Sequence, residues 1–155
     1  MTLRAYRLVP LKYAETAFDG EGARREGARW NSPGVRAVYA AGSLSLAQLE
    51  CLVHVRKANL LRNYVVVVAE FADALCLEAT SRYGLPSDWR SEPPSPSTQA
   101  LGTRWLREAA SAVLRVPSVI TAGESNFMFN PQHPDFTRVK LHPAAEFRFD
   151  LRLIG

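Results

Sequence analysis

The sequence predicts an α+β fold, in which a compact mixed or antiparallel β-sheet forms the core and a few helices pack against it. Two segments have strand patterns: 63–71 (NYVVVVAEF) is rich in β-branched residues, and in 146–153 apolar residues alternate with charged ones. Two others have helix patterns: 43–55 is apolar at most positions, and 99–114 has one apolar side. At 155 residues, the chain is expected to form a single domain over 1–155.

The remaining elements follow from shorter patterns. Further strands are predicted over 3–9, 35–40, 116–120 and 124–130. The first helix is expected to begin at Ser43 or Ser45, because Ser45 and Gln48 have the spacing of a capping box. Its apolar composition predicts burial on nearly every side. Four prolines and several serines predict a long surface loop over 81–97, for which both a lid and disorder remain open.

Composition excludes several classes of protein. Apolar residues make up 47% of the chain and charged residues 22%, as in globular proteins. The N-terminal stretch has no uninterrupted apolar segment of the kind found in secretory signals, and the longest apolar run, 65–69, is too short to cross a bilayer. With only two cysteines, a disulfide framework or cysteine metal site is not predicted. We therefore expect a cytoplasmic protein with no membrane partner and no bound metal.

The charge of the chain leaves a nucleic-acid function open. The formal net charge is +4, with 19 Lys and Arg residues against 15 Asp and Glu. Arginines are locally dense at Arg24, Arg25, Arg29 and Arg36, and arginine binds phosphate oxygens through two parallel hydrogen bonds. A basic nucleic-acid-binding module or a ribonuclease is therefore one alternative, whereas a surface bias toward arginine is the simpler explanation.

The stretch 27–50 (GARWNSPGVRAVYAAGSLSLAQLE) concentrates three chemically different residues. Arg29 lies in a turn-rich loop, Tyr39 near the end of a predicted strand, and Glu50 on the apolar helix. An ionised carboxylate in apolar surroundings is unfavourable unless it is paired or its pKa shifts. Either Glu50 forms a buried ion pair with Arg29, or the three residues form a reactive site.

Familiar catalytic motifs are missing from the sequence. It has no phosphate-binding loop of the G-x-x-x-x-G-K-[ST] type, no G-x-G-x-x-G, no G-x-S-x-G elbow and no zinc-binding H-E-x-x-H. An arginine, an aromatic residue and a carboxylate suit cleavage of a bond between ribose and a good leaving group, because a carboxylate stabilises the oxocarbenium-like transition state. NAD is the common substrate with such a bond. These residue types permit that reaction without requiring it.

Several motifs together resemble the RES-domain family, named for an Arg, a Glu and a Ser. They are GARREGARWNSPG at 22–34, VYAAGSLSLAQLE at 38–50, VPSVI at 116–120, ESNFMFNPQHPDF at 124–136 and FRFDLRL at 147–153. Their order and spacing agree over essentially the whole chain. The resemblance identifies the family residues as Arg29, Tyr39, Glu50 and, in the VPS context, Ser118.

The resemblance implies a toxin of a bacterial toxin–antitoxin pair with a fold like that of the ADP-ribosyltransferase toxins. Such proteins consume NAD by hydrolysis or phosphorolysis, and some transfer ADP-ribose to a protein instead. The implied partner is a small helix-turn-helix antitoxin that blocks the active site, so DNA is contacted only indirectly. The acceptor of ADP-ribose and the oligomeric state, a homodimer included, stay open.

The resemblance also implies a role for each site residue. Arg29 would bind the NAD phosphates, Tyr39 would stack on nicotinamide or its ribose, and Glu50 would stabilise the oxocarbenium ion. Ser118 would bind the ribose or orient Glu50. Further candidates for substrate binding, for which packing or structural hydrogen bonds are equally good explanations, are Tyr6, Arg7, Trp30 and Asn126.

Overall fold

The computed structural model describes residues 1–55 and 57–154. Eight strands form one mixed sheet, with the bounds β1 Thr2–Pro10, β2 Val38–Ala41, β3 Tyr64–Ala72, β4 Cys76–Glu78, β5 Val113–Pro117, β6 Ser125–Phe129, β7 Lys140–Leu141 and β8 Ala145–Phe147. The α-helices are α1 Glu21–Glu26, α2 Leu44–His54, α3 Ala79–Tyr83 and α4 Pro96–Glu108. This arrangement confirms the α+β prediction.

The strand order is β4-β5-β6-β2-β1-β3-β7, with β8 also paired to β3. Among the strand pairs that the structure describes, β4–β5 is parallel and the others are antiparallel. Strand β1 pairs with β3 along its whole length, whereas it meets β2 at the single register pair Tyr6↔Ala41. The two halves of the sheet are therefore joined by a short contact between β1 and β2, and they separate on either side of it.

The sheet has an apolar core on both faces. Side chains of opposite faces alternate along each strand, as in β2, where Val38 and Ala40 face one cluster and Tyr39 and Ala41 face the other side. Helices α2 and α4 cover the face of Tyr39 and Ala41. Within the described ranges, no helix is both long and apolar enough to cross a lipid bilayer.

Helix α2 begins where the sequence predicted, but its surroundings differ from the prediction. Ser43 is the N-cap, and its hydroxyl accepts a hydrogen bond from the backbone N–H of Leu46, so Ser45 forms no cap. The prediction of burial on nearly every side is wrong: Leu49 is 40% exposed and Val53 is 43% exposed. The sheet covers the part of the helix that carries Leu46 and Ala47, and Cys51 and Leu52 pack nearer its end in a second cluster with Tyr64.

Three other predicted boundaries are wrong for identifiable reasons. Helix α4, predicted over 99–114, is capped by Ser95 and begins at Pro96. It ends at Glu108, because Val113 and Leu114 pair with β6 instead of continuing the helix. The strand predicted over 116–120 is the end of β5 followed by a turn. The last predicted strand ends at Phe147, after which the chain turns and Phe149 packs against Tyr64.

Candidate active site

A row of side chains crosses the face of the sheet that α2 covers. Tyr6 of β1 is in register with Ala41 of β2, Ala41 with Asn126 of β6, and Asn126 with Val116 of β5. Residues directly opposite each other on neighbouring strands project from the same face. The small side chain of Ala41 lies in the middle of the row and packs with the first turns of α2. This brings the helix close to Asn126.

Glu50 lies on the side of α2 that faces this row. It follows the buried Leu46 by four residues and Ala47 by three, which places all three on one side of the helix. The Asn126 Nδ2 donates a hydrogen bond of 2.8 Å to the Glu50 Oε1. Among the residues that the structure describes, no Lys or Arg is paired with Glu50; Arg29 is paired with Glu92 instead. The carboxylate is thus partly buried and held by a neutral group.

Tyr39 is fixed in place by hydrogen bonds at its hydroxyl. The hydroxyl donates to the Asn31 Oδ1 at 2.7 Å and accepts from the Trp30 backbone N–H at 3.2 Å. Burial raises the pKa of Tyr39 well above its ordinary value, so the phenol stays neutral. Because Tyr39 and Ala41 project from the same face of β2, the ring lies on the side of the sheet that also carries Glu50. The hydroxyl is engaged within the protein, which leaves the ring for other contacts.

Arg29 is held by the loop that precedes α4. Its Nη1 donates to the carbonyl oxygens of Trp89 at 3.0 Å and Ser91 at 2.7 Å, and its Nη2 donates to the Glu92 Oε2 at 2.8 Å. The Arg29 side chain is 18% exposed, whereas that of Glu92 is 77% exposed. Contacts within the described ranges leave the Nε–H and one Nη2 hydrogen of Arg29 without a protein acceptor.

The loop that carries Arg29 is fixed against α4 by close packing. Trp30 is 3% exposed and stacks on Trp89, with ring centroids 6.0 Å apart. A Cβ on Gly102 would lie 1.7 Å from the Trp30 carbonyl oxygen, so only glycine permits this approach. The surface loop predicted over 81–97 is shorter in the structure, because α3 ends at Tyr83 and α4 begins at Pro96. The remaining segment, 84–95, is held against the loop of Arg29 through Trp89 and the Arg29 contacts.

Ser118 immediately follows β5 and is buried at 4% exposure. Its hydroxyl accepts hydrogen bonds from the backbone N–H groups of Ile120 at 3.1 Å and Thr121 at 3.0 Å. These bonds close the turn after the strand. Since the hydroxyl oxygen accepts twice, its own proton is directed elsewhere and is available for donation. In the described part of the chain, the hydrogen-bond partner of Glu50 is Asn126 rather than Ser118.

Arg7 lies on the opposite face of the sheet from Glu50. It alternates with Tyr6 along β1, and its neighbours Ala5 and Val9 belong to the other core cluster. The Arg7 Nε donates to the Ala17 carbonyl at 2.7 Å, and its Nη1 donates to the Tyr39 carbonyl at 2.9 Å. Burial lowers the pKa of Arg7 from its ordinary value. Arg7 thus supports the backbone of Tyr39 from behind, where β1 and β2 separate.

A groove of about 480 Å³ adjoins the row described above. Its lining includes Arg4 and Tyr6 of β1, Gly42 after β2, Arg115 of β5 and Ser125 of β6. Arg29 and Glu50 do not line it, whereas Tyr6, which belongs to the row, does. Its volume is within the range of small-molecule sites.

The two cysteines are poor candidates for a nucleophile. Burial raises the pKa of Cys76 to about 11 and also raises that of Cys51, so both are thiols at neutral pH. In the described part of the chain, no three His, Cys, Asp or Glu side chains converge into a group that could hold a metal ion. The polar group in contact with Glu50 within the described ranges is thus the amide of Asn126.

The structure adds residues that sequence reasoning did not assign to the site. Asn31 is fully buried and holds the Tyr39 hydroxyl, although the sequence suggested only a turn former. Trp89 and Glu92 hold Arg29 from about sixty positions away, and no local pattern marks such a contact. For Asn31, the sequence signal was its position next to Trp30 and close to Arg29.

Comparison with known proteins places the chain among its relatives. The RES domain family matches residues 4–152. A protein named Toxin Res from Yersinia enterocolitica is 36% identical over 149 residues, covering 96% of this chain and 97% of the relative. A protein named Prs ADP-ribosylating toxin from a Sphingobium species is 36% identical over 144 residues, covering 92% of this chain and 89% of the relative.

A solved structure shares the fold. The chain superposes on the Mycobacterium tuberculosis MbcT–MbcA toxin–antitoxin complex with a TM-score of 0.75 and 22% identity, over 96% of this chain and 85% of the other. The mixed sheet with few helices is that of an ADP-ribosyltransferase-like fold, as the resemblance implied. The extent of the family match and the two full-length relatives lead to one conclusion: the chain belongs to the RES-domain family.

Proposed function

We propose that this chain is the toxin of a toxin–antitoxin pair and that it cleaves the bond between nicotinamide and ribose in cytoplasmic NAD. In this reaction the C1′–N bond breaks with its electron pair going to the nicotinamide nitrogen, and positive charge develops on the ribose. Water or phosphate then attacks C1′, giving ADP-ribose and a proton or ADP-ribose 1″-phosphate. The names of the Yersinia and Sphingobium relatives support a toxin of this class.

The observation that carries this proposal is the setting of Glu50. A partly buried carboxylate whose described partner is a neutral amide keeps its negative charge available to a developing cation. An ion pair with Arg29 would have neutralised that charge, and Arg29 is engaged elsewhere. Glu50 is thus suited to stabilise an oxocarbenium-like transition state.

The neighbouring residues have roles that fit the same substrate. The Tyr39 ring, held at its hydroxyl, would stack on nicotinamide or its ribose. The Nε–H and the remaining Nη2 hydrogen of Arg29 would bind pyrophosphate oxygens. The Ser118 proton would be donated to the ribose or the carboxamide. Tyr6 borders the adjoining groove, Trp30 packs in the cluster that contains Tyr39, and Arg7 supports the Tyr39 backbone from the opposite face.

A protein side chain is the alternative acceptor of ADP-ribose. The name of the Sphingobium relative attributes ADP-ribosylation of Prs to that protein. Cleavage of the same bond precedes either outcome, so both use the same Glu50 chemistry and differ only in the nucleophile that attacks C1′. The groove beside Tyr6 would then receive the acceptor.

An antitoxin partner is part of the proposal. The structure with the same fold is a toxin–antitoxin complex, which supports a protein partner for this chain. A helix-turn-helix antitoxin that covers the active site is the partner that the family resemblance implies. Contact with DNA would then be made by the antitoxin.

The ion pairs of the clustered arginines count against the nucleic-acid alternative. Of the four clustered arginines, Arg24 and Arg36 are paired with Glu21, and Arg29 is paired with Glu92. Arginines whose charge is already neutralised release fewer counterions from a nucleic acid. A DNA or RNA affinity that falls steeply and linearly in log salt would favour this alternative.

Product analysis tests the proposal directly. Purified protein free of antitoxin is incubated with NAD in the presence and absence of phosphate, and products are followed by NMR. We expect nicotinamide release, with the second product identifying water or phosphate as the nucleophile. A parallel reaction with labelled NAD and purified Prs tests the protein acceptor. No nicotinamide release and no labelled protein under any of these conditions would refute the proposal.

A further inference from the structure

The amide of Asn126 has a fixed orientation. Both oxygens of the Glu50 carboxylate only accept hydrogen bonds, so the atom of Asn126 that lies 2.8 Å from Oε1 must be the Nδ2 donor. The other end of the amide, Oδ1, therefore points away from Glu50. The geometry at the carboxylate determines both ends of the amide.

The Asn126 Oδ1 is buried without a hydrogen-bond donor among the described residues. An unsatisfied buried carbonyl oxygen destabilises a folded protein, and buried amides in folded proteins are usually paired at both ends. The register neighbours of Asn126 on the two adjacent strands are Ala41 and Val116, which offer no donor from their side chains. An apolar residue of similar size would suit this position better for stability alone.

We propose that Asn126 is a positioning residue, which holds Glu50 Oε1 so that the second carboxylate oxygen, Oε2, faces the ribose of the substrate. This inference rests on the proposed function and deepens it. Without the Nδ2 donor, the flexible Glu side chain on a partly exposed helix turn would sample several rotamers. The 2.8 Å hydrogen bond to one oxygen holds the carboxylate in place before the reaction begins. The carboxylate then does not have to move as positive charge develops on the ribose.

The sequence had offered Ser118 for this role, and the contacts explain why Asn126 is the better candidate. The Ser118 hydroxyl oxygen accepts two backbone N–H groups in the turn after β5. Asn126 instead lies in the middle of the sheet, paired with Ala41 on one side and Val116 on the other. A donor on a central strand is more rigid than one in a turn.

Two substitutions separate positioning from a structural role. Asn126→Leu removes the donor and the unsatisfied Oδ1 together, and water can hydrate the partly exposed Glu50 carboxylate that loses the donor. The melting temperature is therefore expected to change little, while kcat for nicotinamide release falls at least tenfold and KM changes less than threefold. A purely structural role predicts the opposite pattern, in which the melting temperature falls and the kcat of the folded protein is unchanged.

Asn126→Asp provides a second readout that does not depend on turnover. It keeps the shape of the side chain but places two carboxyl groups in contact, and such a pair retains one shared proton to higher pH. Other titratable groups on α2 and on the elements next to it are Cys51 and His54 on the helix, Tyr6 and Tyr39 on the sheet, and Glu124, which accepts a hydrogen bond from Ser43. Because all five are present in both proteins, only the difference between variant and wild type is interpreted.

The acid limb of the pH–rate profile of Asn126→Asp is expected to shift upward by at least one pH unit. The ¹³C carboxyl signal of Glu50 should titrate at a correspondingly higher pH, measured by NMR with Glu50→Gln as the assignment control. If the wild type releases nicotinamide, but the acid limb and the Glu50 titration are both unchanged in Asn126→Asp, the positioning role is wrong. If the wild type itself is inactive, the proposed function fails, whereas the NMR titration still reports on the contact.

Discussion

Replacement of Tyr39 by Phe tests how the site is held together. The substitution keeps the aromatic ring and removes only the hydroxyl, which donates to the Asn31 Oδ1 and accepts from the Trp30 backbone N–H. Asn31 is fully buried and Trp30 is 3% exposed, so water does not readily replace the missing group. Both partners would be left unsatisfied inside the folded protein.

The expected loss in the free energy of unfolding follows from these two groups that lose their hydrogen-bond partner. Each buried donor or acceptor left without a partner costs about 1–3 kcal/mol, part of which is offset because the Tyr hydroxyl no longer needs to be desolvated. We expect Tyr39→Phe to lower the free energy of unfolding by about 3 kcal/mol. For a chain of this length, such a loss corresponds to a fall in melting temperature of roughly 6–12 °C.

Urea unfolding followed by circular dichroism measures this loss. Tyr13→Phe is the matched control, because Tyr13 is 51% exposed and its hydroxyl faces solvent; its unfolding free energy should change by less than about 0.5 kcal/mol. The folded Tyr39→Phe protein should keep nicotinamide release within about threefold of wild type, since the stacking ring is retained. A stability loss as small as that of the control would refute the assignment of the hydroxyl to the internal network.

Two further substitutions test the loop that carries Arg29. Gly102→Ala should abolish folding or lower the free energy of unfolding by more than about 4 kcal/mol, because the new Cβ would overlap a backbone carbonyl. Gly22→Ala, where nothing lies within 4 Å, should be neutral or stabilising by urea unfolding. Glu92→Ala removes an exposed carboxylate that competes with phosphate for Arg29, so KM for NAD should fall by about two- to fivefold with little change in stability. A severalfold rise in KM would contradict the phosphate role of Arg29.

The periodic segments of the fold could be predicted from the sequence. The strand that became β3 is a β-branched run, and the inward residues Leu101 and Trp105 of α4 follow the helical repeat. Pairing between distant segments could not be predicted. Val113 continues an apolar helical stripe, yet it lies in β5 opposite Phe129, because completing the sheet outweighs local helix propensity.

The burial of α2 shows a different limit of sequence reasoning. An apolar helix predicts burial, but composition does not state how many sides a sheet can cover. Leu46 and Ala47 pack on the sheet, whereas Leu49 and Val53 remain exposed. The face that carries Glu50 was nonetheless predictable, because it follows from three- and four-residue spacing.

The residues of the candidate site could be named from the sequence, whereas their contacts could not. Arg29, Tyr39 and Glu50 were singled out by their proximity in the chain. The partner of Arg29 is Glu92 and that of Glu50 is Asn126, each more than sixty positions away. Such contacts depend on how the sheet closes and on where the loop before α4 lies, which no local pattern specifies.

The central claim is that Glu50 stabilises the cation formed as nicotinamide leaves NAD. Its most direct test is the rate of nicotinamide release by wild type and Glu50→Gln at equal folded concentration. The Gln side chain can still accept the Asn126 hydrogen bond, so the melting temperature should be unchanged while the rate falls at least about a hundredfold. Equal rates for the two proteins would contradict the account.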